Sequence, residues 1–132
     1  MKRSLLSLAI FATSTTFAAK PESLNTYLEI QEKLASDSFA GVSVLANKIA
    51  DNEKGSKTEK IAKKLSQSKN IEEARAQFKT LSQEMIASTN KKDLGDLKVA
   101  SCPMANAKWI QKGTDVKNPY YGSSMLECGS IE

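Results

Sequence analysis

The chain is predicted to be mostly α-helical: an antiparallel bundle of three to four helices, followed by a small C-terminal β-hairpin and loop unit. Three observations predict this. Between Pro21 and Asn90 there is no further proline, and only Gly41 and Gly55 interrupt the run. Along that run the apolar residues recur at the helical period instead of alternating as they would along a strand. Beyond residue 90 the pattern gives way to short β-favouring runs between turn formers, and both cysteines lie there, at 102 and 128.

The N-terminal residues "MKRSLLSLAIFATSTTFAA" read as a secretory signal peptide over 1–19. Lys2 and Arg3 form the positive end. Leu5 to Ala12 is an apolar core too short for a membrane-spanning helix, which needs roughly 20 residues. Thr16-Phe17-Ala18 then offers small residues to a peptidase, with cleavage after Ala18 or Ala19. A buried N-terminal helix is the competing reading, but the segment has no polar face. The expected location is periplasmic or secreted, with no membrane span after signal removal. Residues 20–132 then form one domain: a helical bundle over 20–90 and a Cys/Met-containing unit over 91–132.

Each helix is justified by its own spacing. In "SLNTYLEIQEKLAS", Leu24, Tyr27 or Leu28, Gln31 and Leu34 follow the helical period, with Ile30 on the same side. "DSFAGVSVLANKIADN" offers Asp37 or Ser38 as a cap and aligns Phe39, Val42, Leu45 or Ala46, and Ile49. "DNEKGSK" is a loop. The shorter "TEKIAKKLSQS" places Ile61 and Leu65 on one face, and its Lys60, Lys63 and Lys64 form a solvated one. In "NIEEARAQFKTLSQEMIAS", Asn70 caps, while Glu72 and Glu73 sit where the helix dipole favours negative charge. Ile71, Ala74, Phe78, Leu81 and Met85 make an unbroken stripe, so Met85 is expected in the core. Three long helices and one short one result.

Composition excludes several functions. Loss of Lys2 and Arg3 removes two charges from a formal +4, and Arg75 is then the one arginine left. The lysines are interleaved with glutamates, so a nucleic-acid-binding stripe is not expected. The chain has no histidine. That removes the commonest general base and the commonest ligand for zinc or copper(II). No carboxylate dyad stands out either, and no catalysed reaction is expected.

The C-terminal unit carries the candidate chemistry. Leu97–Ala100 and "KWIQKG" are β-favouring runs around "SCPMANA", which predicts a hairpin. Pro103 keeps Cys102 extended. In an extended strand, Cys102 and Met104 share a face. Met125 and Cys128, three apart, share one face of a helical turn. These four sulfurs are candidate metal ligands, and thiolate with thioether selects copper(I), with silver(I) as its mimic. Lys108, Lys112 or Lys117 would offset the thiolate charge. The competing reading is a disulfide, the default for two cysteines in an exported chain. It would close a loop of about 27 residues and stabilise by roughly 3–4 kcal/mol. The two readings are compatible in different redox states. Asn118-Pro119 marks a turn and Gly122 supplies a backbone angle that other residues resist. Trp109, Asn118, Tyr120 and Tyr121 are the candidate surround of the sulfurs. The aromatics form a hydrophobic cluster beneath the hairpin or, alternatively, a cover that excludes water and oxidant.

The run "CPM…W…NPYYG…ML.CG" resembles the signature of a bacterial domain of unknown function in exported proteins, also found appended to periplasmic adaptors of RND copper/silver efflux systems. "YLEIQEKLASDS" and "NIEEARAQFKTLSQEMI" resemble that family's first and last helices, so the likeness spans roughly residues 22–130. It implies a helical bundle with a Cys/Met-bearing unit, copper handling outside the cytoplasm, and Cys102, Met104, Met125 and Cys128 as the ligands. A periplasmic efflux adaptor or other envelope protein is the implied partner. The loop "ANAK" is shorter here than is usual in the family. The leading expectation is a copper(I)-binding protein that sequesters or delivers the ion. Its rivals are a disulfide-stapled interaction module and, ranked below it, a thiol oxidoreductase lacking the usual CxxC pair.

Overall fold

A computed structural model describes residues 18–132, so the expected signal peptide lies outside the described residues except for Ala18 and Ala19. Four helices come first: α1, Pro21–Ala35; α2, Val42–Asn52; α3, Lys57–Ser66; and α4, Ile71–Ser88. A small antiparallel sheet follows, with β1 Lys98–Cys102, β2 Ala107–Gln111 and β3 Ser130–Ile131 in the order β2-β1-β3. The fold is mostly helical with one three-stranded sheet. Among the described residues no helix is long and apolar enough to cross a membrane.

Local chemistry sets most helix boundaries. Pro21 opens α1 at a position whose N–H has no helical partner in any case. Ser56 caps α3 by accepting from the Glu59 N–H, and Asn70 caps α4 by accepting from the Glu73 N–H at 2.8 Å. On α4, Ala74, Phe78, Leu81 and Met85 are all fully buried, as the stripe predicts. Met85 is a core residue.

One boundary differs. The second helix starts at Val42, not at Asp37 or Ser38, after Gly41 in the left-handed region at φ 81°. Asp37 itself takes φ 56°, and its carboxylate accepts from Arg75 and Ser123 instead of capping the helix. Consequently α1 and α4, with 15 and 18 residues, are the long helices, and α2 and α3, with 11 and 10, are short.

An aromatic stack joins bundle to sheet. Tyr27 of α1 stacks on Phe78 of α4 with ring centroids 4.8 Å apart. Tyr120 leans on Phe78 at 6.1 Å and meets the edge of Trp109, from β2, at 5.9 Å. The Tyr27 hydroxyl pairs with Ser82 Oγ at 2.6 Å and accepts the β2 N–H of Ile110 at 3.1 Å. Burial raises its phenol well above the ordinary range, so it remains a neutral hydrogen-bonding group.

A polar clamp holds the loop after β2 against the helices. The Asp37 carboxylate accepts from Arg75 Nη2 at 2.8 Å and from both the hydroxyl and the N–H of Ser123. Arg75 also donates to the carbonyls of Leu34 and Pro119, each at 2.8 Å. Gly122 is required here: its φ is 55°, and a Cβ would overlap the Asp37 carboxylate.

The Ser123 hydroxyl, then Arg75, then the Ser123 N–H hold the Asp37 carboxyl down at about 2, against an ordinary value of 3.8. Because the folded value is depressed, its contribution is complete above about pH 4 and is lost as pH falls toward 2. Denaturant unfolding across that interval is expected to show a shallower acid loss in Asp37→Asn than in wild type. Identical slopes would show that the carboxylate does not contribute.

Candidate functional site

Cys102 is the last residue of β1 and is 1% exposed. Two residues earlier on the same strand face is buried Ala100, whose cross-strand partner is Trp109. Cys128 is half-buried and ends a tight turn in which its N–H donates to the Met125 carbonyl at 3.1 Å. Both cysteines are free thiols, and their Sγ atoms lie 3.0 Å apart. The structure therefore brings together two sulfurs that are 26 positions apart in sequence.

Their meeting depends on four supports. Asn118 is fully buried; its Nδ2 donates to the Cys128 carbonyl at 2.8 Å, and its Oδ1 accepts the N–H groups of Tyr120 and Tyr121. Gly129 follows Cys128 at φ 132°, where a Cβ would overlap the Ser101 carbonyl and press on the Trp109 ring. Gln111 accepts from Trp109 Nε1 at 2.9 Å and from the Lys117 N–H at 3.0 Å, while its own amide donates to the Asp115 carbonyl at 2.7 Å. Gln31 of α1 adds a 2.7 Å bond to the Lys117 carbonyl.

The two thiols are unequal. Burial opposes ionisation of Cys102, but hydrogen bonds from the Cys128 thiol, the Ala105 and Met104 N–H groups and the Asn118 amide outweigh it and lower its pKa. Cys128 moves up, first because it donates to Cys102, then through burial and repulsion by the charge at Cys102. The inner sulfur is therefore the one that ionises more readily, and the outer one holds its proton more tightly.

The methionines are placed differently from expectation. Strand β1 stops at Cys102, so Met104 sits in the 103–106 turn with 68% exposure and does not share an extended face with the cysteine. Pro103 and the left-handed Asn106, at φ 48°, turn the chain there. Met125 and Cys128 are not on a helical turn: the 3₁₀ segment Gly122–Ser124 ends before Met125, whose φ is −151°. The tight turn nevertheless keeps half-buried Met125 beside Cys128 in the chain path.

The surround is mixed in role. Trp109 is fully buried, and Tyr120 donates to the Lys108 carbonyl at 2.8 Å. Tyr121 packs partly buried against the core. Of the candidate counter-charges, Lys108 pairs with Glu132 at 2.6 Å, Lys112 faces Glu32 at 3.9 Å, and Lys117 is exposed. A cavity of about 390 Å³ between α4 and the hairpin reaches Cys102, with Gln83, Ile86, Pro103, Asn106 and Lys108 among its walls. Among the described residues no three His, Cys, Asp or Glu side chains cluster. A metal held here would draw on Cys102 and Cys128, with methionine or an outside donor completing its shell. No family model, curated protein or solved structure matches the chain.

Asn118→Ala removes a donor to the inner sulfur and the anchor on the Cys128 carbonyl. The Cys102 titration, followed by thiolate ultraviolet absorbance of reduced protein, is expected to move to higher pH. An unchanged midpoint would mean that the amide does not stabilise the thiolate.

Proposed function

We propose that the protein binds copper(I), with silver(I) as a mimic, in the periplasm, and sequesters or delivers it in heavy-metal resistance or efflux. The observation that carries this reading is the unbridged sulfur pair at 3.0 Å, one member buried and the other half-buried. An ion roughly 2.3 Å from each thiolate, the usual metal–sulfur distance, needs the pair to part by about an ångström. Rotation of Cys128, on its turn, supplies that opening without disturbing β1. Thiolates with thioethers favour a soft monovalent ion over zinc, calcium or magnesium. Met125 then completes the inner shell, and Met104 joins by folding back over the hairpin turn. The motif's resemblance to domains appended to copper/silver efflux adaptors supports the same chemistry and a separate adaptor as partner.

The ionisation order speaks against thiol–disulfide exchange as the purpose. An exchange catalyst exposes its thiolate. Here the sulfur that ionises more readily is the inner one, and the more accessible one holds its proton more tightly. The ion is cargo, and no reaction is catalysed.

Copper(I) titration of reduced protein against a competing chelator tests the proposal. Cys102→Ser/Cys128→Ser is expected to abolish competition. Met104→Leu/Met125→Leu is expected to weaken affinity by roughly 10–100-fold, the scale seen when a metal's supporting groups are removed. A cysteine double variant that still competes would sink the proposal. A methionine double variant equal to wild type would remove the thioethers from the ligand set.

The same 3.0 Å approach favours one other reading: a disulfide-stabilised interaction module without metal. It predicts that Cys102→Ser/Cys128→Ser lowers the stability of oxidised protein by roughly 3–4 kcal/mol in denaturant unfolding. It also predicts unchanged copper tolerance of cells. Lost copper tolerance with little stability change would decide for the metal.

A further inference from the structure

The segment from Lys112 to Gly129 must cross the molecule and deliver Cys128 to Cys102, yet its one regular element is the 3₁₀ turn Gly122–Ser124. Its path is therefore set by tethers. Gln111 and Gln31 fix its start, and β3 fixes its end. Between them, Asn118 ties the segment mainly to itself, through Tyr120, Tyr121, Leu126 and Cys128. Besides the packing of Tyr120 on Phe78, the polar contacts that fasten its middle to the helices converge on one place. Arg75 of α4 holds the Pro119 carbonyl, and Asp37, just beyond α1, holds both polar groups of Ser123. Arg75 locks the two helices together at the same point by donating to Leu34 and Asp37.

The arrangement is costly in local terms, which indicates a purpose beyond capping. Asp37 leaves the helix-start position that its residue type favours and adopts a left-handed backbone. Gly122 is confined to glycine by the same carboxylate. Arg75 is the one arginine among the described residues, and its planar fork serves three acceptors that a lysine could not satisfy together.

We infer that Arg75, Asp37 and Ser123 are positioning residues for the sulfur pair: they hold the 119–123 segment so that Cys128 stands over Cys102. The inference concerns the pair in either chemistry, metal or disulfide, and its test needs no copper. In a glutathione redox buffer, the two protein thiols pass two electrons and two protons to one oxidised glutathione. The products are the protein disulfide and two reduced glutathiones, and the equilibrium constant reports the effective concentration of one thiol at the other.

Arg75→Met is expected to lower that constant about tenfold, what one charge-assisted hydrogen bond supplies. Ser123→Ala, at an exposed position, should lower it by less, and Arg75→Lys should fall between Arg75→Met and wild type. Ile61→Val, in the buried face of α3 away from the sheet, is the control for general destabilisation and should leave the constant unchanged. Should Arg75→Met fail to fold, Ser123→Ala and Arg75→Lys decide. Constants within about twofold of wild type in the folded clamp variants overturn the inference. So does an Ile61→Val loss equal to that of the clamp variants.

Discussion

The stack of Tyr27 on Phe78, continued through Tyr120 to Trp109, is the contact on which the rest of the molecule depends. It is where helices and sheet become one body. A sheet of three short strands, one of them only two residues long, has little stability of its own. Docked on the aromatic rings and fixed by the Tyr27 hydroxyl to the Ile110 N–H, it becomes a rigid platform for Cys102. The rings supply area, and the single buried hydroxyl supplies register. An apolar contact alone would let β2 slide; a hydrogen bond to one named amide does not.

On that platform the sulfur site is half scaffold and half loop. Cys102 is held by strand pairing, while Cys128 is held by side-chain amides, a glycine contact and the polar clamp. The division matches the chemistry. A fixed inner thiol of lowered pKa is a ready source of a soft anion, and in the proposed role the less constrained outer thiol would move to admit an ion or to bridge. Burying the more readily ionised sulfur also lowers its exposure to small oxidants, since the reactive form is the less accessible one.

Much of the helical part was legible in the sequence. The α4 stripe, the Asn70 cap, the core role of Met85 and the special angle at Gly122 all follow from local rules, and the structure agrees with each. What was not legible depends on distant partners. Nothing near Asp37 in the chain announces that Arg75 and Ser123 will claim its carboxylate, so the second helix was expected to begin too early. Strand β3 has two residues and no pattern to read. Met104 was put beside Cys102 by extending a strand one step past Pro103, where the chain in fact turns. The nearness of the two cysteines was open to either reading of the motif. Gly129 had a visible signal, a glycine directly after the second cysteine, but only the approach to Ser101 and Trp109 explains it.

The exposure of Met104 has a consequence for durability. A thioether in solvent takes up oxygen far more readily than one in a core, and the resulting sulfoxide offers a hard oxygen in place of a soft sulfur. The first chemical damage at this end of the molecule would thus fall on the exposed thioether, while the buried thiol beneath stays intact. Under the proposed copper(I) role, ageing in an oxidising compartment would erode the preference for soft ions before it eroded the fold.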